Sequence, residues 1–179
     1  SRPRRAAQLQ ALRADINTDN IRGNVATRLS KVENGEFDAT LLAAAGLARL
    51  GQGNIGTAIE TSEMLPAASQ GAIGIDCLIE RSEIAALMAP INHSATFGCV
   101  MAERAFLEAL GGTCHSPVAA QAVWHGDILT LQGEILREDG SEREQGSITC
   151  KPGDQLAPAL LARQLLDAAS PELRALFEG

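Results

Sequence analysis

No stretch of this 179-residue sequence is both long and apolar enough to cross a bilayer. Its longest uncharged apolar runs, residues 39–48 and 66–75, fall short of the ~20 residues a spanning helix needs, and Gly or Pro interrupts both. The basic, apolar and small-residue order of a signal peptide is missing too, which leads us to expect a cytoplasmic protein. Cysteine is sparse: Cys77, Cys99, Cys114 and Cys150 stand far apart and form no CxxC pair. With three scattered histidines and no matching carboxylate motif, no metal site is expected, and reduced thiols are expected rather than disulfides. There is no GxSxG elbow, P-loop or HExxH. An initiator Met is also missing. The chain opens on Ser1-Arg2-Pro3-Arg4-Arg5, so it reads as a fragment, a processed product or one piece of a nicked enzyme.

The formal charge of −7 argues against nucleic acid as a partner, because phosphate-backbone affinity needs a broad basic face. Yet Arg2, Arg4, Arg5, Arg13, Arg22, Arg28 and Arg49 all fall in the first fifty residues. Concentrated arginine in an acidic chain suits a local pocket for small carboxylates or phosphates; solvated helix faces are the plainer alternative. Hydrophobic residues at 45% and charged residues at 21% are enough for one good core or two modest ones.

Helical spacing of Leu9, Leu12 and Ile16 predicts a helix over residues 4–16, followed by a strand-like or turn segment. A second helix is expected from near Thr27 through Val32, stopped by Asn34-Gly35. Residues 37–44 read as a buried strand, 45–51 as a brief helical turn, and 51–56 and 65–71 as loops. Residues 72–77 read as another strand. Such alternation implies α/β layering with a parallel or mixed sheet. A helix over 79–88, broken by Pro90, leads to a domain boundary between Arg81 and Asn92.

The most regular helix then spans residues 94–110, with Phe97, Val100, Met101, Ala105, Leu107 and Leu110 as its apolar stripe and Gly111-Gly112 as its stop. Strands are expected at 118–124, 128–137 and 142–150, joined by turns at His125-Gly126-Asp127 and Asp139-Gly140. An amphipathic helix over 154–168 and a short one opened by Pro171 complete a small α+β unit.

Two places could carry chemistry. In Gly111-Gly112-Thr113-Cys114-His115-Ser116-Pro117 the glycines give a sharp helix exit and leave Cys114 on an exposed turn, where a thiol can be reached. A buried structural Cys, the role Cys99 has on its stripe, is usually inert. The second place is Arg22-Gly23-Asn24-Val25-Ala26-Thr27-Arg28. Gly23 permits close backbone approach, and the helix start beyond it offers amide donors to an anion. Arg4 and Arg5 open the preceding helix in the same manner. His93 is expected to cap a helix.

Together these segments resemble hydroxymethylbilane synthase, the porphobilinogen deaminase family. Residues 22–31 resemble its RGNVxTRLxK segment, and 38–51 its DAxxLAxAGLxRLG. Residues 65–75 are similar to its LPAxGQGAxGIE crossover, and Ala102-Glu103-Arg104-Ala105-Phe106-Leu107 with Gly111-Gly112-Thr113-Cys114 to its ERAxL helix and GGC loop. The match runs to about Val118; beyond that it rests on element order. The resemblance implies a partial α/β lobe like those of periplasmic binding proteins (residues 1–66), a crossover returning toward an absent first domain (67–91), and a cofactor-carrying α+β domain (92–179) with a three-stranded antiparallel sheet and about three helices. It implies a monomeric transferase that joins four porphobilinogen molecules head to tail with loss of ammonia, giving hydroxymethylbilane for haem and other tetrapyrroles. A dipyrromethane primer would be held by a thioether to Cys114. Arg4, Arg5, Arg22, Arg28 and Arg49, with Gly23, would bind carboxylates of primer, substrate and growing oligopyrrole. The family's catalytic Asp lies in the part absent here, so the chain would need that N-terminal half as its partner to be active. Arg2-Pro3 departs from the usual Ser-Leu, and Ala26 and Ser69 each replace a glycine. A non-catalytic module that holds a small polycarboxylate, and a purely structural fragment, are the competing expectations.

Overall fold

The computed structural model describes residues 3–111 and 116–178. Helix α1 is Pro3–Leu12, α2 is Val25–Glu33 and α3 is Ala44–Arg49. Helix α4 (Ser82–Met88) runs into a 3-10 turn at Ala89–Ile91, where Pro90 ends it as expected. Then come α5 (Ser94–Leu110), the strands β1 (Val118–His125), β2 (Ile128–Leu136) and β3 (Arg143–Cys150), and the helices α6 (Leu156–Ala168) and α7 (Pro171–Arg174).

The three strands form one antiparallel meander in the order β1-β2-β3. Both hairpin turns fall where the sequence puts them, with Gly126 and Gly140 at positive φ. Helices α5 and α6 cover one face of this sheet. Register explains how they come so close. Ala120, Gly133 and Gly146 lie side by side across the three strands, leaving a shallow trough with no large side chain. The Phe106 ring of α5 fills it and is fully buried, while Leu161 of α6 packs over Gly146. Leu129, Leu131 and Ile135 surround the ring from the same face of β2.

Local chemistry fixes the helix ends. Asn24 Oδ1 accepts the Thr27 amide at 2.9 Å and caps α2. The His93 ring caps α5 as expected, and Gly111 leaves that helix in the left-handed conformation at φ 74°. Asp154 Oδ1 takes the Leu156 and Ala157 amides at 2.8 and 3.2 Å, so it stands outside α6 rather than inside it. The indole of Trp124 donates to the Ala95 carbonyl at 3.0 Å and ties the start of α5 to β1.

The first half departs from expectation at three elements. Helix α1 stops at Leu12, short of Ile16, because Arg13 turns to grip Asp15 with two hydrogen bonds of 2.8 and 2.5 Å. Residues 37–44 and 72–77, read as strands, pair with no strand among the described residues, and Ala44 already opens α3, so no parallel or mixed sheet forms there. Ile73 and Ile75 are correspondingly exposed. On α5 the buried face is rotated from the predicted stripe. Ala105 and Leu110 are buried, but Phe97 is 53% exposed while Phe106, Ala102 and Glu103 turn inward.

A Cβ placed on Gly133 would come within 2.5 Å of the Phe106 ring. Gly133→Ala is therefore expected to cost about 1–3 kcal/mol by urea denaturation. Adding Phe106→Leu should recover part of that loss; two purely additive losses would mean the ring does not set the limit.

Candidate functional site

The predicted site residues divide among several places. Cys114, with its neighbours Gly112, Thr113 and His115, lies outside the described residues. Of the arginines, Arg4 is not presented to solvent at the start of α1, as its position suggests. It is buried, and its guanidinium donates to Gln8 Oε1 and to the Leu65 carbonyl, both at 2.6 Å. Gln8 Nε2 shares that carbonyl at 3.0 Å. Arg5 reaches the Leu41 carbonyl at 3.2 Å, and Arg49 the Gly71 carbonyl at 3.0 Å. Arg28 Nε turns back on the Gly23 carbonyl at 2.9 Å. Gly23 itself sits at φ 115°, and any Cβ there would meet Thr27 at 2.7 Å, so the turn before α2 requires glycine.

Helix α1 borders two cavities. One, of about 470 Å³, is walled by Arg4 and Arg5 together with Leu29, Leu47, Met64 and Pro66. The rest of its wall is mostly apolar, with Thr40, Thr57, Thr61 and Gln70 among it, and no carboxylate among the described residues lines it. The second, of about 640 Å³, lies between α1 and the turn before α2 and brings Arg22 and Arg28 together with Asp19 and Glu138. Glu138 comes from the β2–β3 turn, so both halves of the chain build this cavity. Arg49 lines neither. The five arginines thus form two pairs and one outlier, not a single cluster. Among the described residues no three His, Cys, Asp or Glu side chains group as metal ligands. No single helix there is long and apolar enough to cross a membrane.

One residue of the site was quoted within a motif but given no role. Glu103, on the inward face of α5, is 7% exposed and accepts two backbone amides: Ser69 at 2.5 Å and Ala122 at 2.8 Å. Burial pushes its carboxyl above the ordinary range, while the two amides pull in the opposite direction. The available signal was a carboxylate at an inward helical position, which demands partners. Two cysteines also stand near this site, Cys99 on α5 and Cys150 at the end of β3. Burial drives both thiols up, with Glu103 adding to the effect on Cys99 and Asp154 to that on Cys150. Neither is poised as a thiolate. Cys77 is exposed.

A folded pKa raised above the unfolded value gives a contribution that is complete below the ordinary Glu range and lost as pH climbs through the raised value. Glu103→Gln removes that titration, but strands one of the two amides. Thermal melts between about pH 4 and pH 8 should show a less stable variant, by about 1–3 kcal/mol at the acid end, with a flatter decline toward neutral pH. A variant profile parallel to that of the parent would show that Glu103 does not titrate in this range.

Comparison with known proteins gives consistent matches along most of the sequence. Residues 1–86 match the family model described as porphobilinogen deaminase, dipyromethane cofactor binding domain. Residues 97–166 match the one described as porphobilinogen deaminase, C-terminal domain. Among curated relatives, a porphobilinogen deaminase of Sphingopyxis alaskensis is 52% identical over 178 residues, 99% of this chain and 56% of its own length. One from a strain of Stenotrophomonas maltophilia is 51% identical over 172 residues, 95% of this chain and 57% of that protein. One from Neisseria meningitidis is 43% identical over 173 residues, 95% and 55% respectively. The chain therefore spans a little over half the length of the relatives it matches.

Proposed function

The chain belongs to the porphobilinogen deaminase family, and from that premise we propose that it is the primer-holding and C-terminal part of a hydroxymethylbilane synthase. The reaction is the head-to-tail joining of four porphobilinogen molecules, each step releasing ammonia. In this reading the dipyrromethane primer is bound through a thioether to Cys114, which follows α5 in the sequence. Arg4 and Arg5 take carboxylates of primer or incoming pyrrole in one cavity, Arg22 and Arg28 in the other, and Arg49 beside Gly71.

The observation that carries the reading is the cavity of Arg4 and Arg5. Two guanidinium groups there reach the Gln8 side chain and the Leu65 and Leu41 carbonyls, in a largely apolar wall that also carries Thr40, Thr57, Thr61 and Gln70. Two guanidinium groups lining one cavity attract an anion and can grip a carboxylate through two donors at once. A ligand with an apolar ring and carboxylate arms, as a pyrrole acid is, satisfies both the walls and the charges. As pyrroles are added the negative charge grows, and a second arginine pair across α1 would accommodate the next carboxylates.

The segments at 37–43 and 72–77, which join no sheet among the described residues, fit the same reading. Apolar residues on unpaired backbone, Ile73 and Ile75 among them, are what strands look like when their neighbours lie elsewhere in the polypeptide. We take residues 1–66 as part of a lobe like those of periplasmic binding proteins, 67–91 as a crossover toward a first domain, and 92–179 as the cofactor-carrying domain. The catalytic Asp would be supplied by the preceding half, so the chain alone is expected to be inactive, and the assembled enzyme to act as a cytoplasmic monomer.

The test is covalent. The chain is combined with the preceding half of a relative and porphobilinogen, and its mass is then measured intact alongside Cys114→Ala and Cys77→Ala. A gain of one dipyrromethane or more, with an Ehrlich colour, is expected for the parent and Cys77→Ala and should vanish in Cys114→Ala. Label that persists in Cys114→Ala would reassign the attachment. No label on any variant would favour a polycarboxylate-binding module.

A further inference from the structure

Segment 65–71 is the place where the two halves of the chain hold one another. The Leu65 carbonyl takes Arg4 and Gln8 of α1, and the Pro66 carbonyl accepts the Ala120 amide of β1 at 3.1 Å. Ala68 packs against the core under α5. The Ser69 amide goes to Glu103, and the Gly71 carbonyl to Arg49.

Within it, Ser69 is the one non-glycine residue with positive φ among the described residues, at 60°. That conformation costs an L-residue roughly 1–2 kcal/mol and needs something to hold it. The Glu103 carboxylate, buried and bonded to the Ser69 amide, is that holder. Two residues later Gly71, also left-handed at φ 85°, turns its carbonyl to the Arg49 guanidinium. The path from Glu103 to Arg49 is therefore one amide, one short turn and one carbonyl.

We propose that Glu103 is a positioning residue for Arg49: by pinning Ser69 in its left-handed conformation, it fixes the Gly71 carbonyl that aims the Arg49 guanidinium. This rests on the reading above only in that Arg49 is taken as a carboxylate ligand; the geometric coupling stands without it. Glu103 also sits on α5, seven residues before Leu110, where the helix ends four residues short of Cys114 in the sequence. A shift of that helix would thus be felt at Arg49.

The coupling can be read without any ligand. In nitrogen-15 spectra of the chain, the Arg49 guanidinium should exchange slowly while it is bonded to Gly71. Glu103→Gln should speed that exchange by about tenfold, the protection of roughly one hydrogen bond. Ser69→Gly alone should leave it unchanged, since glycine adopts the same φ without restraint. The decisive variant is the pair: Ser69→Gly in the Glu103→Gln background should restore slow exchange. If Glu103→Gln does not fold, Glu103→Asp, which keeps the charge but reaches one methylene less, should show the same release and the same rescue. A fall in melting temperature with Arg49 exchange unchanged would make Glu103 merely structural, and failure of Ser69→Gly to rescue would sever the proposed path. The carboxylate role of Arg49 is judged separately, by whether Arg49→Lys weakens porphobilinogen binding to the assembled enzyme.

Discussion

A backbone segment that runs between two halves of a chain needs partners for its amides and carbonyls where it is covered, and residues 65–71, buried at Leu65 and exposed at Gly71, draw them from both. Arg4 and Gln8 reach it from α1, Arg49 from α3, Glu103 from α5 and Ala120 from β1. The neutral contacts are worth about 1 kcal/mol net each when made, and the charge-assisted ones of Arg4 and Glu103 about 1.5–3 kcal/mol. Leaving any of them unmade in a buried place costs more than making it gains, and that asymmetry gives the segment its hold. The buried Arg4 and Glu103 are tolerated because each is spent on backbone groups that would otherwise be stranded. Remove this segment and α1, α3 and α5 lose the strip of chain they have in common.

Charge has a different distribution from the one a list of arginines implies. Arg4 and Arg5 face one side of α1, Arg22 and Arg28 the other, and Arg49 is engaged with Gly71. The first cavity has no acid on its wall; the second contains Asp19 and Glu138 and is closer to balance. Two sites whose linings differ in charge would hold anionic groups differently from one another. An arginine already bonded to a main-chain carbonyl keeps its full charge while losing rotational freedom, so less ordering remains to be done when an anion arrives.

Much of the second half was legible, because its elements are built from contacts near in sequence. The meander follows from its two turns, α5 from its length and glycine stop, and the last helices from Asp154 and Pro171. Legibility failed where a partner outside the local pattern decides. Residues 37–43 and 72–77 have strand composition, but pairing is a property of two segments, and the described residues hold no second one. The face of α5 was misjudged because the pattern counted Phe97 as core and left out Phe106. What settles that choice is the trough of Ala120, Gly133 and Gly146, three small residues brought into line only by register. Glu103 escaped for the same reason: its two partners lie 34 residues before it and 19 after it in the chain. The cysteine given most weight, Cys114, lies outside the described residues, so its role rests on sequence.

Gly140, at the tip of the β2–β3 turn, touches α1 so closely that a Cβ there would lie 2.6 Å from the Ala7 carbonyl oxygen and the Ala11 amide nitrogen. The contact joins residues more than a hundred positions apart, and its loop-closure entropy is correspondingly large. The hairpin, by contrast, closes over a few residues and can form on its own timescale of microseconds. The order of assembly is thereby biased: the meander with α5 and α6 supplies a finished surface, and α1 arrives late, seated on a ready-made turn. For a polypeptide emerging amino end first, the seat for α1 is a turn not yet synthesised, and the cavity of Arg22 and Arg28 lacks its Glu138 wall until that turn is out.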